Sequence, residues 1–195
     1  MGEILVVLAP GAEEIEAVTI PDILVRAKQR VTVASTAADL VVSGSRGLPL
    51  AGHVRLDAVL GGDYDCVYLP GGMGSATTCR DDVRIQDLAE RQLAAGRLLA
   101  VICACPIALV PRRLCAGRVL TSYPGVRAQV EPHAKAWRDQ PVVIDGNLVT
   151  SQGAGTALAL ALALARLLAG DAVARQIALD IVASDAVLAA ATPSA

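Results

Sequence analysis

The nine residues LLAVICACP, at positions 98–106, decide the fold of this chain and the place of its chemistry. The five apolar residues are typical of a buried strand, Cys103 follows them at once, and Pro106 suits the first turn of a helix. The segment therefore predicts a strand over 98–102, a sharp turn, and a helix over 106–114. Backbone N–H groups and the helix dipole at such a turn lower the pKa of a thiol. Cys103 is accordingly predicted to be a reactive thiolate.

The same alternation of apolar runs and helical patterns extends in both directions from this segment. Further strands are predicted at 4–9, 31–35, 65–69 and 118–122, and further helices at 14–27, 82–95, 157–169 and 171–182. Hairpins are predicted at 40–51 and around the Asp145-Gly146 pair. Strands that alternate with helices predict an α/β fold whose mostly parallel sheet is covered on both faces, a three-layer sandwich. We expect a single domain over 1–184 and a frayed tail over 185–195.

Composition argues against several classes of protein. The net charge is −2, and one Trp with three Tyr gives few stacking platforms, so no nucleic-acid partner is indicated. The first residues lack the basic and apolar segments of a leader, and the Ala/Leu run at 157–165 is shorter than the ~20 residues that cross a bilayer. Five cysteines, an odd number, argue against a disulfide framework. These features predict a cytoplasmic protein with no membrane partner.

Three segments that can carry chemistry share one edge of the predicted sheet. The loop after the first strand, the Gly71-Gly72 pair after the third, and Cys103 all follow strand ends, where open α/β sheets place their sites. Gly71, Gly72 and Ala104 can turn backbone N–H groups towards a developing oxyanion. The glycine pair can equally be a simple turn, and without a following lysine it does not form a phosphate-binding loop.

A carboxyl group is predicted beside the thiol. Glu16 faces the strand ends if Ile15 and Val18 help to pack the core. Because two adjacent anions repel, we expect Glu16 to be protonated and to donate a hydrogen bond to the Cys103 thiolate. Glu16 can then pass a proton to a substrate. The two glutamates that precede Ile15 are interpreted as acids that only favour the helix N-terminus.

The remaining cysteines and the histidines give weaker signals. Cys105 is interpreted as a packing residue, with a strained disulfide to Cys103 or half of a metal site as the alternatives. Cys66 is expected in the core, and Cys79 and Cys115 on the surface. Neither histidine lies at a predicted strand end, so a Cys/His dyad is not supported. No cluster has the ligand spacing of a zinc site, and no metal is expected.

Four motifs, taken in order along the chain, resemble those of a known family: GAEEIE at 11–16, LPGG at 69–72, ICACP at 102–106 and TSQGAGT at 150–156. The chain resembles the ThiJ/PfpI superfamily, in the branch of the parkinsonism-associated protein deglycase and the bacterial YajL chaperone. The resemblance covers about residues 3–182. It implies a flavodoxin-like fold, a homodimer, no cofactor, and an easily oxidised cysteine at a nucleophile elbow, paired with a protonated glutamate. In this sequence those two residues are Cys103 and Glu16.

The resemblance also assigns positions around the site. Arg26 and Arg46 match positions that lie near the dimer interface and the site in relatives. Tyr123 stands where some members carry a histidine, and a phenol with a pKa of about 10 is a poor base at pH 7 but donates a hydrogen bond. Cys105 stands where relatives carry a small residue, which allows it to act as a resolving thiol.

The residues and the resemblance together predict a cysteine-dependent enzyme of the glyoxalase or deglycase type that uses no cofactor. Methylglyoxal, glyoxal or early glycation adducts on proteins are its expected substrates. A peroxide-responsive redox sensor or chaperone with little turnover is the alternative, since the same thiolate is open to oxidation. A protease is disfavoured because Tyr123 replaces the histidine that such an activity needs.

Overall fold

The computed structural model describes residues 1–192 and is built around a seven-stranded sheet. The strands of the chain are β1 (Glu3–Leu8), β2 (Arg30–Ser35), β3 (Val41–Ser43), β4 (Pro49–Ala51), β5 (Val54–Arg55), β6 (Cys66–Leu69), β7 (Leu98–Ile102), β8 (Val119–Leu120), β9 (Ala136–Trp137), β10 (Val142–Asp145) and β11 (Leu148–Ser151). The main sheet has the order β10-β11-β7-β6-β1-β2-β5, and all its neighbouring pairs are parallel except β10 with β11.

Helices cover both faces of this sheet. They are α1 (Glu14–Arg26), α2 (Met73–Asp81), α3 (Val83–Ala94), α4 (Arg127–Val130), α5 (Ala157–Ala169), α6 (Asp171–Asp180) and α7 (Asp185–Ala190). The central strand order β2-β1-β6-β7-β11 is the 2-1-3-4-5 order of flavodoxin-like folds. The predicted three-layer α/β sandwich is therefore confirmed.

The two faces of the sheet bury alternate residues of each strand, as the period of two requires. In β1, Ile4 and Val6 pack against the layer that contains α1 and α5, whereas Leu5 and Val7 pack against the layer that contains α2 and α3. Because both faces are buried, the strands are apolar throughout, which is why their sequence signal is an apolar run.

The predicted hairpins are also confirmed. The pairs β3–β4 and β10–β11 are both antiparallel. Gly146, in the turn between β10 and β11, has a φ of +60°, a conformation that glycine adopts without a steric cost.

Two helical predictions differ from the structure. The segment predicted as a helix over 106–114 forms a 3₁₀ helix only at Cys105–Leu109, followed by turns. One carbonyl group of this segment has a partner outside it, since the O of Ala108 accepts a hydrogen bond from Nε2 of Gln86 at 2.8 Å. Helix α2 follows directly on the Gly71-Gly72 pair, in a segment where the sequence predicts no helix.

The C-terminal segment is more ordered than the expected frayed tail. Residues 185–190 form helix α7, which Ser184 caps through its hydroxyl oxygen. Val187 and Leu188 pack against the core beside α5, and Arg166 donates a hydrogen bond to the O of Ala191. Apolar contacts and a helix cap therefore hold this segment, and the part of the prediction that concerns 193–195 lies outside the described residues. Within 1–192 no helix is long and apolar enough to cross a membrane.

Candidate functional site

A cavity of about 870 Å³ opens at the carboxyl ends of β1, β6, β7 and β11. Its walls come from the start of α1, the turn between β3 and β4, the start of α2, the turn at Cys103 and the segment after β11. The segments that the sequence placed at one edge of the sheet therefore do meet there, because parallel strands end at the same edge.

Cys103 forms the sharp turn after β7. Its φ is +61°, which is uncommon for a residue with a side chain. Two backbone hydrogen bonds hold this conformation: the N–H of Cys103 donates to the O of Ser151 at 2.9 Å, and its O accepts the N–H of Tyr123 at 2.7 Å. The strained turn leaves the Cys103 side chain partly exposed in the cavity wall.

Glu16 lies in the first turn of α1 with its side chain fully buried. Its Oε2 accepts the N–H of Gly71 at 2.8 Å, and its buried Oε1 has no N–H or O–H donor among residues 1–192. The Cys103 thiol lies close enough to this carboxyl group for each to shift the pKa of the other. Glu16 reaches this position although Ile15 and Val18 are 53% and 54% exposed, so the expectation that these two pack the core is wrong.

The environment raises the pKa of both groups. Burial raises the pKa of Glu16 to about 7, against the opposing effect of the hydrogen bonds from Cys103 and Gly71. Burial and the Glu16 charge raise the pKa of the Cys103 thiol to about 12, although the N–H groups of Gly72 and Ala104 lower it. The expected fall in the thiol pKa is therefore wrong, because desolvation outweighs the backbone donors. The two groups cannot easily be charged together, and they share a proton.

The three predicted backbone donors divide into two sets. The N–H groups of Gly72 and Ala104 lower the pKa of the Cys103 thiol, and both residues line the cavity. The N–H of Gly71 is taken by Glu16, so it does not face a substrate oxygen as predicted. A Cβ on Gly71 would lie 2.6 Å from Oε2 of Glu16, which is why a glycine is needed here.

Of the four other site residues named from the sequence, two line the cavity and two do not. Tyr123 and Arg46 line the cavity. Arg26 does not, because it ends α1 ten residues after Glu16, about 15 Å along the helix axis, and pairs with Asp22. Cys105 is fully buried in the core beneath the cavity, so its predicted place in the site lining is wrong.

Apart from Arg46, which the resemblance assigned, no site residue was predicted from the sequence in two walls of the cavity. The turn between β3 and β4 contributes residues 43–46, and the segment after β11 contributes Gln152. The first left a faint signal in the closely spaced Gly44 and Gly47, and the second lies within the TSQGAGT motif. Cys79 and Cys115, expected on the surface, are buried, as are Cys66 and Cys105.

No group of three or more His, Cys, Asp or Glu side chains within 1–192 has an arrangement that could hold a metal ion. His53 lies away from the cavity, where its Nδ1 accepts the N–H of Val33 at 3.1 Å. The polar residues that line the cavity are Glu13, Glu16, Ser43, Ser45, Arg46, Cys103, Tyr123 and Gln152.

Comparisons with known proteins agree with this geometry. A model of the DJ-1/PfpI family matches residues 2–167. Protein dj-1beta of Drosophila melanogaster is 39% identical over 174 residues, which are 89% of this chain and 93% of that protein. Its crystal structure matches with a TM-score of 0.90 at 37% identity, and the match covers 93% of this chain and 98% of that one.

Two further relatives bear on chemistry. A Caenorhabditis elegans protein named glutathione-independent glyoxalase DJR-1.2 is 32% identical over 167 residues, 85% of this chain and 88% of that protein. The structure of Toxoplasma gondii DJ-1, described as oxidized, matches with a TM-score of 0.89 at 34% identity, over 93% of this chain and 98% of that one.

Proposed function

The chain belongs to the DJ-1/PfpI family, and on that premise we propose that it is a cysteine-dependent enzyme of the glyoxalase or deglycase type that needs no cofactor. One observation carries the proposal: a thiol in the wall of an open cavity lies beside a fully buried carboxyl group, and this pair, Cys103 and Glu16, is close enough for each group to shift the pKa of the other. A nucleophile within hydrogen-bond reach of an acid–base group is the arrangement that covalent catalysis needs. The name of the nematode relative supports a dicarbonyl substrate.

The first step joins the Cys103 sulfur to the aldehyde carbon of a 1,2-dicarbonyl such as methylglyoxal. The electron pair of the C=O π bond moves to oxygen, and the thiol proton reaches that oxygen through the Glu16 carboxyl, giving a hemithioacetal. The N–H groups of Gly72 and Ala104 stabilise the negative charge that develops beside the sulfur.

The second step moves a proton between neighbouring carbons. Glu16, as the carboxylate, removes the proton from the former aldehyde carbon and returns it to the adjacent carbonyl carbon, while the hydroxyl proton moves to the second oxygen. The product is a thioester of Cys103, and water hydrolyses it to a 2-hydroxy acid and the free thiol. The aldehyde is oxidised by the neighbouring ketone, so no external oxidant or cofactor takes part.

The same pair can act on early glycation adducts. Such an adduct is the hemithioacetal or hemiaminal of a dicarbonyl and a side chain. When Glu16 takes its hydroxyl proton, the bond to the side-chain sulfur or nitrogen breaks, the side chain takes up that proton, and the released aldehyde enters the two steps above. The cavity of about 870 Å³ leaves room for the attached side chain beside the reacting carbons. We propose adducts as a second group of substrates for this site.

The test is the conversion of methylglyoxal to lactate by the reduced protein in a buffer without amines. Turnover should be lost in Cys103→Ser and in Glu16→Gln. Cys66→Ala is the matched control, because Cys66 is a fully buried core cysteine away from the cavity, and it should retain turnover. Full turnover in Cys103→Ser would overturn the proposal.

A second candidate function is a peroxide-responsive sensor or chaperone. The observation that favours it is that Cys103 is partly exposed whereas the other four cysteines are buried. Mild peroxide should therefore add oxygen to Cys103 first, and the description of the Toxoplasma gondii relative as oxidized is in line with this. Peptide mass spectrometry after graded peroxide treatment tests it, and equal oxidation of all five cysteines would contradict it.

We also propose that the protein acts as a homodimer in the cytoplasm. The exposed apolar side chains of Ile15 and Val18 lie on α1 beside the cavity, and a second copy is the occupant that the family resemblance implies for this face. Five free thiols fit a reducing compartment. Light scattering of the wild type and of Val18→Glu tests the dimer, since a buried charge at the interface should give monomers.

A further inference from the structure

Glu14 is a second carboxyl group at the start of α1, and the proposed chemistry does not use it. Its side chain is nearly buried, with 8% of its surface exposed. Its Oε1 accepts the N–H of Arg46 at 2.7 Å and the N–H of Leu48 at 3.4 Å, and its Oε2 accepts the hydroxyl of Ser45 at 3.0 Å. Burial raises the pKa of Glu14, but these hydrogen bonds outweigh burial and leave it below its ordinary value. Glu14 is therefore a buried carboxylate, and both of its oxygens accept hydrogen bonds from the turn between β3 and β4.

That turn, residues 43–48, is a wall of the reaction cavity. Its first four residues line the cavity. Two backbone hydrogen bonds tie its start to the loop after β1: the N–H of Gly11 donates to Ser43, and the N–H of Ser45 donates to Ala12, both at 2.8 Å. Beyond Ser45, the backbone N–H groups of Arg46 and Leu48 donate hydrogen bonds to Glu14. Within the turn, the N–H of Gly44 donates to the O of Leu48 at 2.8 Å and the N–H of Gly47 donates to the O of Gly44 at 3.0 Å, and the hydrogen bonds to Glu14 join this far half of the turn to α1.

The fit between Glu14 and this turn is close. A Cβ on Gly44 would lie 2.6 Å from the Cδ of Glu14, so a glycine lets the carboxylate approach the backbone. The hydrogen bonds span 31 to 34 residues of sequence, so they join two separate segments of the chain rather than closing a local turn.

Arg46 gains its place in the cavity from this contact. Its side chain is exposed, and among residues 1–192 its guanidinium has no hydrogen bond or ion pair. Glu13, the carboxylate that also lines the cavity, is used as the helix cap and accepts the N–H of Glu16 at 2.9 Å. Since the backbone N–H of Arg46 is bonded to Glu14, the carboxylate fixes the backbone from which this side chain extends.

We propose that Glu14 is a positioning residue, which fixes the turn 43–48 as a wall of the reaction cavity and holds the Arg46 guanidinium at its mouth through hydrogen bonds to the turn. A cation held there attracts anionic and electron-rich groups to the cavity. Glu14 therefore acts on binding, through Arg46, and not on the chemical step.

Three substitutions separate hydrogen bonding from charge. Glu14→Gln keeps the length of the side chain and an oxygen for the N–H groups of Arg46 and Leu48, but it removes the charge. Glu14→Asp keeps the charge and is one methylene too short to reach them. Glu14→Ala removes both properties, and Glu90→Ala, which changes an exposed glutamate on α3, is the matched control.

The first readout is hydrogen–deuterium exchange of the backbone amides of Arg46 and Leu48. The second is the ratio of the alkylation rates of Cys103 by iodoacetate and by iodoacetamide, which reports a cation near the thiol because only iodoacetate is charged. Labelling is confined to Cys103 by the burial of the other cysteines and is checked by peptide mass spectrometry. The third readout is the split between KM and kcat for methylglyoxal, and only this one rests on the proposed function.

We expect Glu14→Asp and Glu14→Ala to speed exchange at both amides at least tenfold, to lower the iodoacetate preference severalfold, and to raise KM severalfold with little change in kcat. Glu14→Gln should stay close to the wild type in all three, and Arg46→Gln should lower the iodoacetate preference without faster exchange. Unchanged exchange and preference in Glu14→Asp would overturn the proposal, as would a Glu14→Gln variant that behaves like Glu14→Ala. If Glu14→Ala does not fold, the Asp and Gln variants decide.

Discussion

Glu14 and Glu16 lie two residues apart in the first turn of α1, both are buried, and they are driven to opposite protonation states. Glu14 accepts hydrogen bonds from three residues of the turn 43–48, and its pKa is lowered. Glu16 accepts one backbone N–H, lies beside the Cys103 thiol, and has its pKa raised to about 7. Burial dominates at Glu16, which is the more deeply buried of the two and meets one backbone donor, whereas the hydrogen bonds outweigh burial at Glu14. Environments that separate two pKa values in this way also separate two roles, here an anchor and an acid–base group.

The largest difference between the two carboxyl groups should appear in kcat when each is changed to the amide. Glu16→Gln removes the proton shuttle, and kcat for methylglyoxal should fall at least ~10²-fold, the usual contribution of general acid–base catalysis. Glu14→Gln keeps its acceptor oxygen, and kcat should stay within about twofold of the wild type. Lactate formation at saturating methylglyoxal measures both. Equal losses in the two variants would show that the two glutamates do not have different roles.

The second-largest effect should come from adding a methyl group to the glycine that faces each carboxyl group. Gly71→Ala places a methyl group against Glu16, so turnover should be lost and the free energy of unfolding should fall by ~1–3 kcal/mol. Gly44→Ala places a methyl group against Glu14 instead, and it should raise KM while kcat is retained. Steady-state kinetics and urea unfolding of both variants measure these changes. A Gly71→Ala variant with the wild-type kcat would contradict the close packing around Glu16.

The two carboxyl groups should also affect stability in opposite pH windows. The folded state binds the Glu16 proton more tightly than the unfolded chain, so its contribution to stability is complete below pH 4.5 and is lost as pH rises through about 7, by up to about 3 kcal/mol. The lowered pKa of Glu14 gives stability above pH 4.5 that is lost as pH falls. Urea unfolding between pH 4 and pH 8 tests this: Glu16→Gln should flatten the fall towards pH 7, and Glu14→Gln should be less stable than the wild type only above about pH 4.5. If the free energy of unfolding changed with pH in the same way in both variants, the opposite pKa shifts of Glu14 and Glu16 would be contradicted.

The sequence predicts Glu16 better than Glu14, and the reason is physical. Alternating apolar runs reveal the strands, and strand ends meet at one edge, so Cys103, Gly72 and Glu16 can be brought together before the structure is known. The partners of Glu14 lie 31 to 34 residues away in a turn whose path depends on the packed hairpin. Nothing local indicates that contact, and Glu14 was therefore interpreted as an acid that only favours a helix terminus.

The predicted fall in the pKa of the Cys103 thiol is wrong for a related reason. The donors at a strand–turn–helix junction are local, and the N–H groups of Gly72 and Ala104 do lower the pKa as expected. Desolvation and the charge of Glu16 come from tertiary packing, and they outweigh those donors. The same limit applies to Cys105, whose sequence position beside Cys103 suggested the site, whereas packing turns it into the core.

The smallest effect is expected at Tyr123, and it sharpens the role of Glu16. Tyr123 lines the cavity and is half exposed, and its backbone N–H, rather than its phenol, holds the Cys103 turn. If Glu16 alone moves the protons, Tyr123→Phe should change kcat for methylglyoxal by less than about threefold, since a neutral hydrogen bond to an exposed phenol contributes ~0.5 kcal/mol. The pH dependence of kcat should be the same in both proteins. A loss as large as that of Glu16→Gln would mean that the phenol takes part in proton transfer and that Glu16 does not act alone.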